Sequence, residues 1–287
     1  MLWKKGKVAR GREYGSSQPH FPVFFRGGPA QAGPKDWPPP AAAPLLLLRL
    51  FLCLFLGLAL PGPARAERLA YALSWGIVPV GDMELETGPG FSPAADHVLA
   101  ARLTARSNAF VDLFLPVQNA YSTHWDRDAD RSLHFFRDIS EGRRTATADL
   151  FLDLPLPRYL LFENGRLAGD LRCPEPLLDP LSLLLSLRGE SLAPGALARR
   201  AVTDGRRTAN ATARALEWED VATPLGAFRA VRVEVDMAGV EGLFGIRDRV
   251  VRIWAAPGQG NLPVKVQATV RIGPWSGELT ARLQSRE

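Results

Sequence analysis

From Glu67 onward the chain alternates apolar and polar residues at period two, the pattern of strands with one face buried and one in water. Val231, Val233, Val235 and Met237 alternate with Arg232, Glu234 and Asp236. Val264, Val266, Ala268, Val270 and Ile272 alternate with Lys265, Gln267, Thr269 and Arg271, and Leu279, Ala281 and Leu283 with Glu278, Thr280 and Arg282. Parallel strands covered on both faces would read as continuous apolar runs, so the pattern predicts an antiparallel sheet. Earlier strands are predicted over Leu69–Trp75, Asp82–Glu86, Val98–Arg106, Asn119–Trp125, Leu133–Ser140 and Arg144–Leu152. Later ones are predicted over Arg200–Thr203, Thr208–Trp218 and Arg249–Ala255. Glu141-Gly142, Asp204-Gly205 and Pro257-Gly258 supply turn chemistry between them. No period of about 20–50 residues recurs, which excludes a solenoid or propeller.

One segment breaks the alternation. Leu178 to Arg188 (LDPLSLLLSLR) offers Asp179 as N-cap, Pro180 at the first helical position and Gly189 as a stop. Its Leu side chains point to several sides, so this helix must be buried against the sheet. The expected fold is therefore all-β and mainly antiparallel: a strongly curved sheet or open half-barrel meander with one short buried helix near 179–188. The helix separates strand groups 67–172 and 190–287.

Ahead of this single β-rich domain, Leu50–Leu60 is apolar throughout and is followed by Pro61-Gly62-Pro63 and Ala64-Arg65-Ala66. A short apolar core, a helix breaker and small residues at −3 and −1 predict a secretory signal peptide over 44–66, cleaved between Ala66 and Glu67. The apolar run is short of the ~20 residues a membrane span needs, so no span is expected after cleavage. Cys53 follows Leu50-Phe51-Leu52 and lacks the small residues that precede a lipid-modified cysteine. Residues 1–43 are basic, rich in Pro and Gly, and aperiodic, which predicts either disorder or a translation start placed too early.

Charge sharpens this picture. The formal net charge is +5, but residues 1–66 hold 9 of the 35 Lys and Arg and only 2 of the 30 Asp and Glu. That leaves 26 basic and 28 acidic groups in 67–287, a net of −2. A near-neutral domain carries no electrostatic footprint for nucleic acid. Of the 2 Cys, Cys173 alone follows the predicted cleavage site, so no internal disulfide is expected.

Candidate chemistry is sparse. His124, Asp126, Asp128 and Asp130 suggest a cation loop, yet counting from Asp126 places Arg131 sixth and Arg137 twelfth, where a calcium loop needs Gly and a carboxylate. The stretch reads as a polar hairpin tip. Neither G-x-S-x-G nor S-x-x-K occurs, Ser182 sits within the Leu-rich helix, and no phosphate loop, dinucleotide fingerprint or zinc spacing is found. No catalytic residue, metal or cofactor is assigned. Asp179 and Arg188 suit the two ends of the helix, the acid as cap and the base against the C-terminal dipole. Trp75, Asp179, Arg188 and Trp254 are the candidates for ligand-lining or structural roles. Trp125, Trp218 and Trp275 are further aromatic candidates for a cavity lining.

The segments YALSWGIVPVGDMELE (71–86), LLDPLSLLLSLRGESLAPG (177–195), TPLGAFRAVRVEV (223–235), IWAAPGQGNLPVKV (253–266) and GELTARL (277–283) follow one another in an order that resembles the bacterial envelope family called domain of unknown function 3108. The likeness is sharpest at Asp179-Pro180-Leu181-Ser182 with Arg188, and at Trp254 with Leu262-Pro263. The resemblance implies a secreted β-rich domain in the periplasm or outer envelope, and it carries no catalytic residues. The expected role is non-enzymatic, with a hydrophobic or envelope-derived ligand, such as a lipid, on the concave sheet face. The alternative is a filled-core envelope scaffold that recruits a protein partner, and a cell-wall hydrolase stands third.

Overall fold

Alternation of the kind just described produces a single antiparallel sheet of fourteen strands in the computed structural model. Residues 66–90, 97–152, 158–172, 176–237, 239–243, 250–272 and 275–287 are described. The predicted signal peptide up to Arg65, the segment 1–43 and Cys173 lie outside the described residues.

The strands are β1 (Glu67–Trp75), β2 (Val78–Pro89), β3 (Val98–Ser107), β4 (Val117–Asp126), β5 (Arg131–Glu141), β6 (Arg144–Phe151), β7 (Arg158–Glu163) and β8 (Arg166–Arg172). After the helix come β9 (Leu197–Thr203), β10 (Thr208–Thr223), β11 (Gly226–Asp236), β12 (Val250–Ala256), β13 (Leu262–Ile272) and β14 (Trp275–Arg286). A single-turn helix, α1 (Ala109–Asp112), joins β3 to β4 and is capped by Asn108. The buried helix α2 (Pro180–Ser186) continues into a 3₁₀ turn over Leu187–Gly189.

Each strand pairs with its neighbour in sequence, except at the centre and the ends. The order is β8-β7-β6-β5-β4-β3-β2-β1-β14-β13-β12-β11-β10-β9. The two strand groups that α2 separates along the chain are thus fused in space, because the first strand pairs with the last (Leu73 opposite Ala281, Tyr71 opposite Leu283). Backbone bonds between Arg68 and Glu287 tie the ends of this pair together.

The sheet curls until its far ends meet. Leu177–Asp179 bridges them: Ser132 of β5 donates its N–H to the Leu177 carbonyl, while Leu178 bonds to Ala201 and Thr203 of β9 in a parallel bridge with Val202. At the β9–β10 turn, Gly205 lies against Leu161 of β7 and Leu150 of β6. Arg206 there forms a two-pronged pair with Glu163 (Nε–Oε1 2.7 Å), and Arg200 reaches Asp130 at the β4–β5 turn (2.5 Å). The sheet stays open, since its outermost strands β8 and β9 do not pair with each other, and these contacts draw its two ends together.

Inward positions of every strand but β8 pool into one apolar core, including Leu69, Tyr71, Leu103, Tyr121, Val231, Val233 and Leu283. Leu181, Leu183, Leu185 and Leu187 of the helical segment complete it. Among the described residues, no helix is long and apolar enough to cross a membrane.

Candidate functional site

The helix is a polypeptide plug whose two ends are fastened by different means. At its start, the fully buried Asp179 carboxylate accepts from the backbone N–H of Leu181 (2.8 Å) and Ser182 (3.0 Å) through Oδ1. Its Oδ2 accepts from the hydroxyls of Thr123, Ser132 and Ser182, each at 2.6 Å. Ser132 Oγ in turn accepts from the Asp179 N–H (2.7 Å). The cap is therefore also the centre of a buried polar knot that docks α2 on β4 and β5. A buried carboxylate is tolerable when its lone pairs are filled in this way. Ser182 and Thr123, 2.7 Å apart and sealed from solvent, have their hydroxyls engaged within the knot.

At the far end, Arg188 grips Glu67, the first residue of β1, with both terminal guanidinium nitrogens, and Arg286 reaches the same carboxylate (3.0 Å). Burial would raise the Glu67 carboxyl, but the flanking Arg188 and Arg286 outweigh it and hold it below its usual 4.5. Asn261 Nδ2 donates to the carbonyls of Arg188 (3.0 Å) and Glu190 (2.7 Å), satisfying the helix C-terminus.

Between α2 and the sheet are two neighbouring cavities of about 90 and about 60 Å³. Met83, Leu184, Leu243 and Val266 line both. The larger is otherwise walled by residues such as Leu85, Leu103, Leu181, Val233 and Ile253, with Arg188 and Asn261 as its polar edge. Tyr71 also lines it, its hydroxyl donating to the Pro263 carbonyl (2.9 Å). Leu184 is the half-buried exception on a helix whose other Leu side chains are buried.

Of the four candidate residues, Arg188 alone lines a cavity. Asp179 is the N-cap of α2, and Arg188 engages Glu67 across 121 positions of sequence. Trp254 lies on the outer face, beside Arg232 of β11 and Lys265 of β13 in register. It is only 3% exposed because Lys265 Nζ sits 3.7 Å above its ring and its Nε1 donates to Glu219 (2.7 Å). Burial, with Arg282 nearby, pulls the Lys265 amine below its usual value. Trp75 packs at the end of β1 over Gly277, where an added Cβ would come within 2.3 Å of the indole. Trp125 points into the core and Trp218 stays exposed under Arg229. The cavity lining is thus mainly aliphatic, with Tyr71, Arg188 and Asn261 in the larger cavity and no Trp in either.

The His124–Asp130 stretch forms the end of β4 and its turn. Asp126 Oδ1 accepts from the N–H of Asp128 (3.1 Å) and Ala129 (3.0 Å), a local turn motif, and Asp130 pairs with Arg200. His124 stacks on His134 across the strands, and burial lowers its pKa. Among the described residues, no group of three or more His, Cys, Asp or Glu could hold a metal ion.

The model of a family described as "Protein of unknown function (DUF3108)" matches residues 70–281. A crystal structure of a beta-barrel-like protein of domain of unknown function DUF1849, from Brucella abortus, superposes with a TM-score of 0.51 at 12% identity. That match covers 78% of this chain and 98% of the other, and shows a shared fold. No curated protein matches.

Proposed function

We propose, for a chain that belongs to the DUF3108 family, that it is an exported, non-enzymatic cell-envelope protein that binds an apolar ligand between α2 and the concave sheet face. The observation that carries this reading is the pair of adjoining apolar cavities under a helix fastened at both ends. Apolar voids of this kind stay dry and accept apolar guests, as a void of about 150 Å³ can. Whole-ligand pockets run to ~300 Å³ and more, so the guest here is a segment of chain rather than an entire lipid. Leu184, half-buried and shared by both cavities, is the residue that yields to admit it. Export is supported by β1 beginning at Glu67, next to the predicted cleavage site. The filled-core scaffold is the second reading, favoured by how small both cavities are.

Titration with an uncharged fluorescent dye, N-phenyl-1-naphthylamine, tests the site. Leu184→Phe and Val266→Leu each fill the shared wall. Each is expected to weaken dye binding at least about tenfold, the effect of ~1.4 kcal/mol, while the melting temperature holds or rises. Saturable binding that both variants leave unchanged would place the dye elsewhere, and no saturable binding would favour the scaffold.

A further inference from the structure

A second surface, independent of the cavities, stands at one rim of the curled sheet. In an up-and-down meander the β1–β2, β3–β4 and β5–β6 connections share one end, whereas Glu67, where β1 begins, stands at the other. Ile77 at the β1–β2 tip is 97% exposed, and Leu113 and Phe114 beside α1 are 77% and 75% exposed. Val78 and Phe110 add to them, with Phe110 packed edge-on to Phe114 at 5.7 Å. These tips are held together rather than left loose. Asn108 caps α1 and bonds to the carbonyls of Val80 (2.9 Å) and Pro79 (2.8 Å) at the start of β2, and Gly142 bonds to Pro116 (2.8 Å).

The charge around the patch is selective. Glu141 is engaged by Asn119 (3.0 Å) and faces Arg144 (3.8 Å), and Asp112 accepts from the Ser107 hydroxyl. Arg143, at the tip of the β5–β6 turn, is exposed with no carboxylate in ion-pair reach among the described residues. The rim thus presents large apolar side chains beside an available cation, complementary to acidic headgroups above hydrocarbon.

We propose that this rim docks the protein on an anionic lipid bilayer, with Ile77, Phe110, Leu113 and Phe114 entering the headgroup–acyl boundary and Arg143 meeting lipid phosphate. Ile77, Leu113 and Phe114 stand at least 75% exposed, the state of side chains that enter a soft apolar phase. A bilayer conforms to them.

Co-sedimentation of the purified protein with vesicles tests this docking. Binding is expected to phosphatidylethanolamine–phosphatidylglycerol vesicles, and more weakly to phosphatidylcholine alone. Ile77→Ser with Phe114→Ser should lower it about a hundredfold, roughly tenfold per side chain withdrawn from water, with an unchanged melting curve because both sites are exposed. Arg143→Ser should lower binding several-fold on the anionic vesicles only. Phe114→Trp should shift its emission to the blue and be quenched by brominated acyl chains. Wild-type protein left in the supernatant would overturn the proposal, as would a serine double variant that binds equally well. So would self-association in sedimentation velocity that the double variant abolishes while vesicles are ignored, since that result assigns the rim to a protein contact.

Discussion

Asp179 shows how much one side chain can hold. It accepts two backbone N–H groups and three hydroxyls in a site closed to water. Asp179→Ala removes the cap, worth about 1 kcal/mol, and also strands buried hydroxyls, each worth about 1–3 kcal/mol unsatisfied. Denaturant unfolding should show a loss of about 3 kcal/mol or more. Asp179→Asn should lose less, because its amide oxygen can still cap Leu181 and Ser182. Glu67 makes a different prediction, in pH. Its folded-state pKa lies below the ordinary 4.5, so its pairing stabilises the protein above that pH and is lost as pH falls through and below it. Wild type should therefore melt above Glu67→Gln at neutral pH, and the two curves should converge on acidification; a constant gap would remove the ion pair from the account. The capping role of Asp179 was legible from D-P-L-S at a helix start. The three hydroxyl partners come from β4, β5 and α2 itself, and nothing local marks Thr123 or Ser132 as facing the helix. Trp254, a candidate for ligand-lining or structural roles, carried a clue that was not used: Val251, Ile253 and Ala255 alternate inward, which places Trp254 with Arg252 on the outer face.

Among the elements, the alternating strands were readable because one face of each meets the core. The missed hairpin, β7 with β8, shows where that signal ends. β8 (RLAGDLR) buries almost nothing and sits at the sheet edge, so it has no reason to alternate. The available clue was Asn164-Gly165, both left-handed (φ 49° and 75°), the dipeptide that two-residue hairpin turns favour. The short α1 escaped for a related reason, since its single turn rests on the Asn108 cap and exposes its apolar residues. The seam yields the prediction at this scale. Gly205 combines φ +86° with a Cβ position 3.0 Å from Leu161. Gly205→Val adds backbone strain, about 1–3 kcal/mol, to a clash across the closure. Thermal unfolding should record a loss of at least about 2 kcal/mol, and a neutral effect would mean that the two ends of the sheet are not in firm contact.

For the whole molecule, antiparallel class, curvature and a single buried helix all follow from the pattern of the chain. Pairing of β1 with β14 does not, because contact between the chain's outermost strands leaves no local trace. Closure likewise depends on residues far apart in sequence, such as Glu163 with Arg206. The cavities were the least legible feature of all. They arise from how Leu184, Met83 and Val266 fail to fill the same space, a matter of packing geometry and not of residue type. The two proposals combine into one reading: a carrier that would meet a membrane at its apolar rim and hold an acyl segment within. Native mass spectrometry of the protein recovered from its own cells, with organic extraction of whatever accompanies it, tests that account most directly. The account predicts a chain beginning at Glu67 with an adduct of lipid mass that Leu184→Phe diminishes. A bare mass that stays bare after incubation with envelope lipids would contradict it.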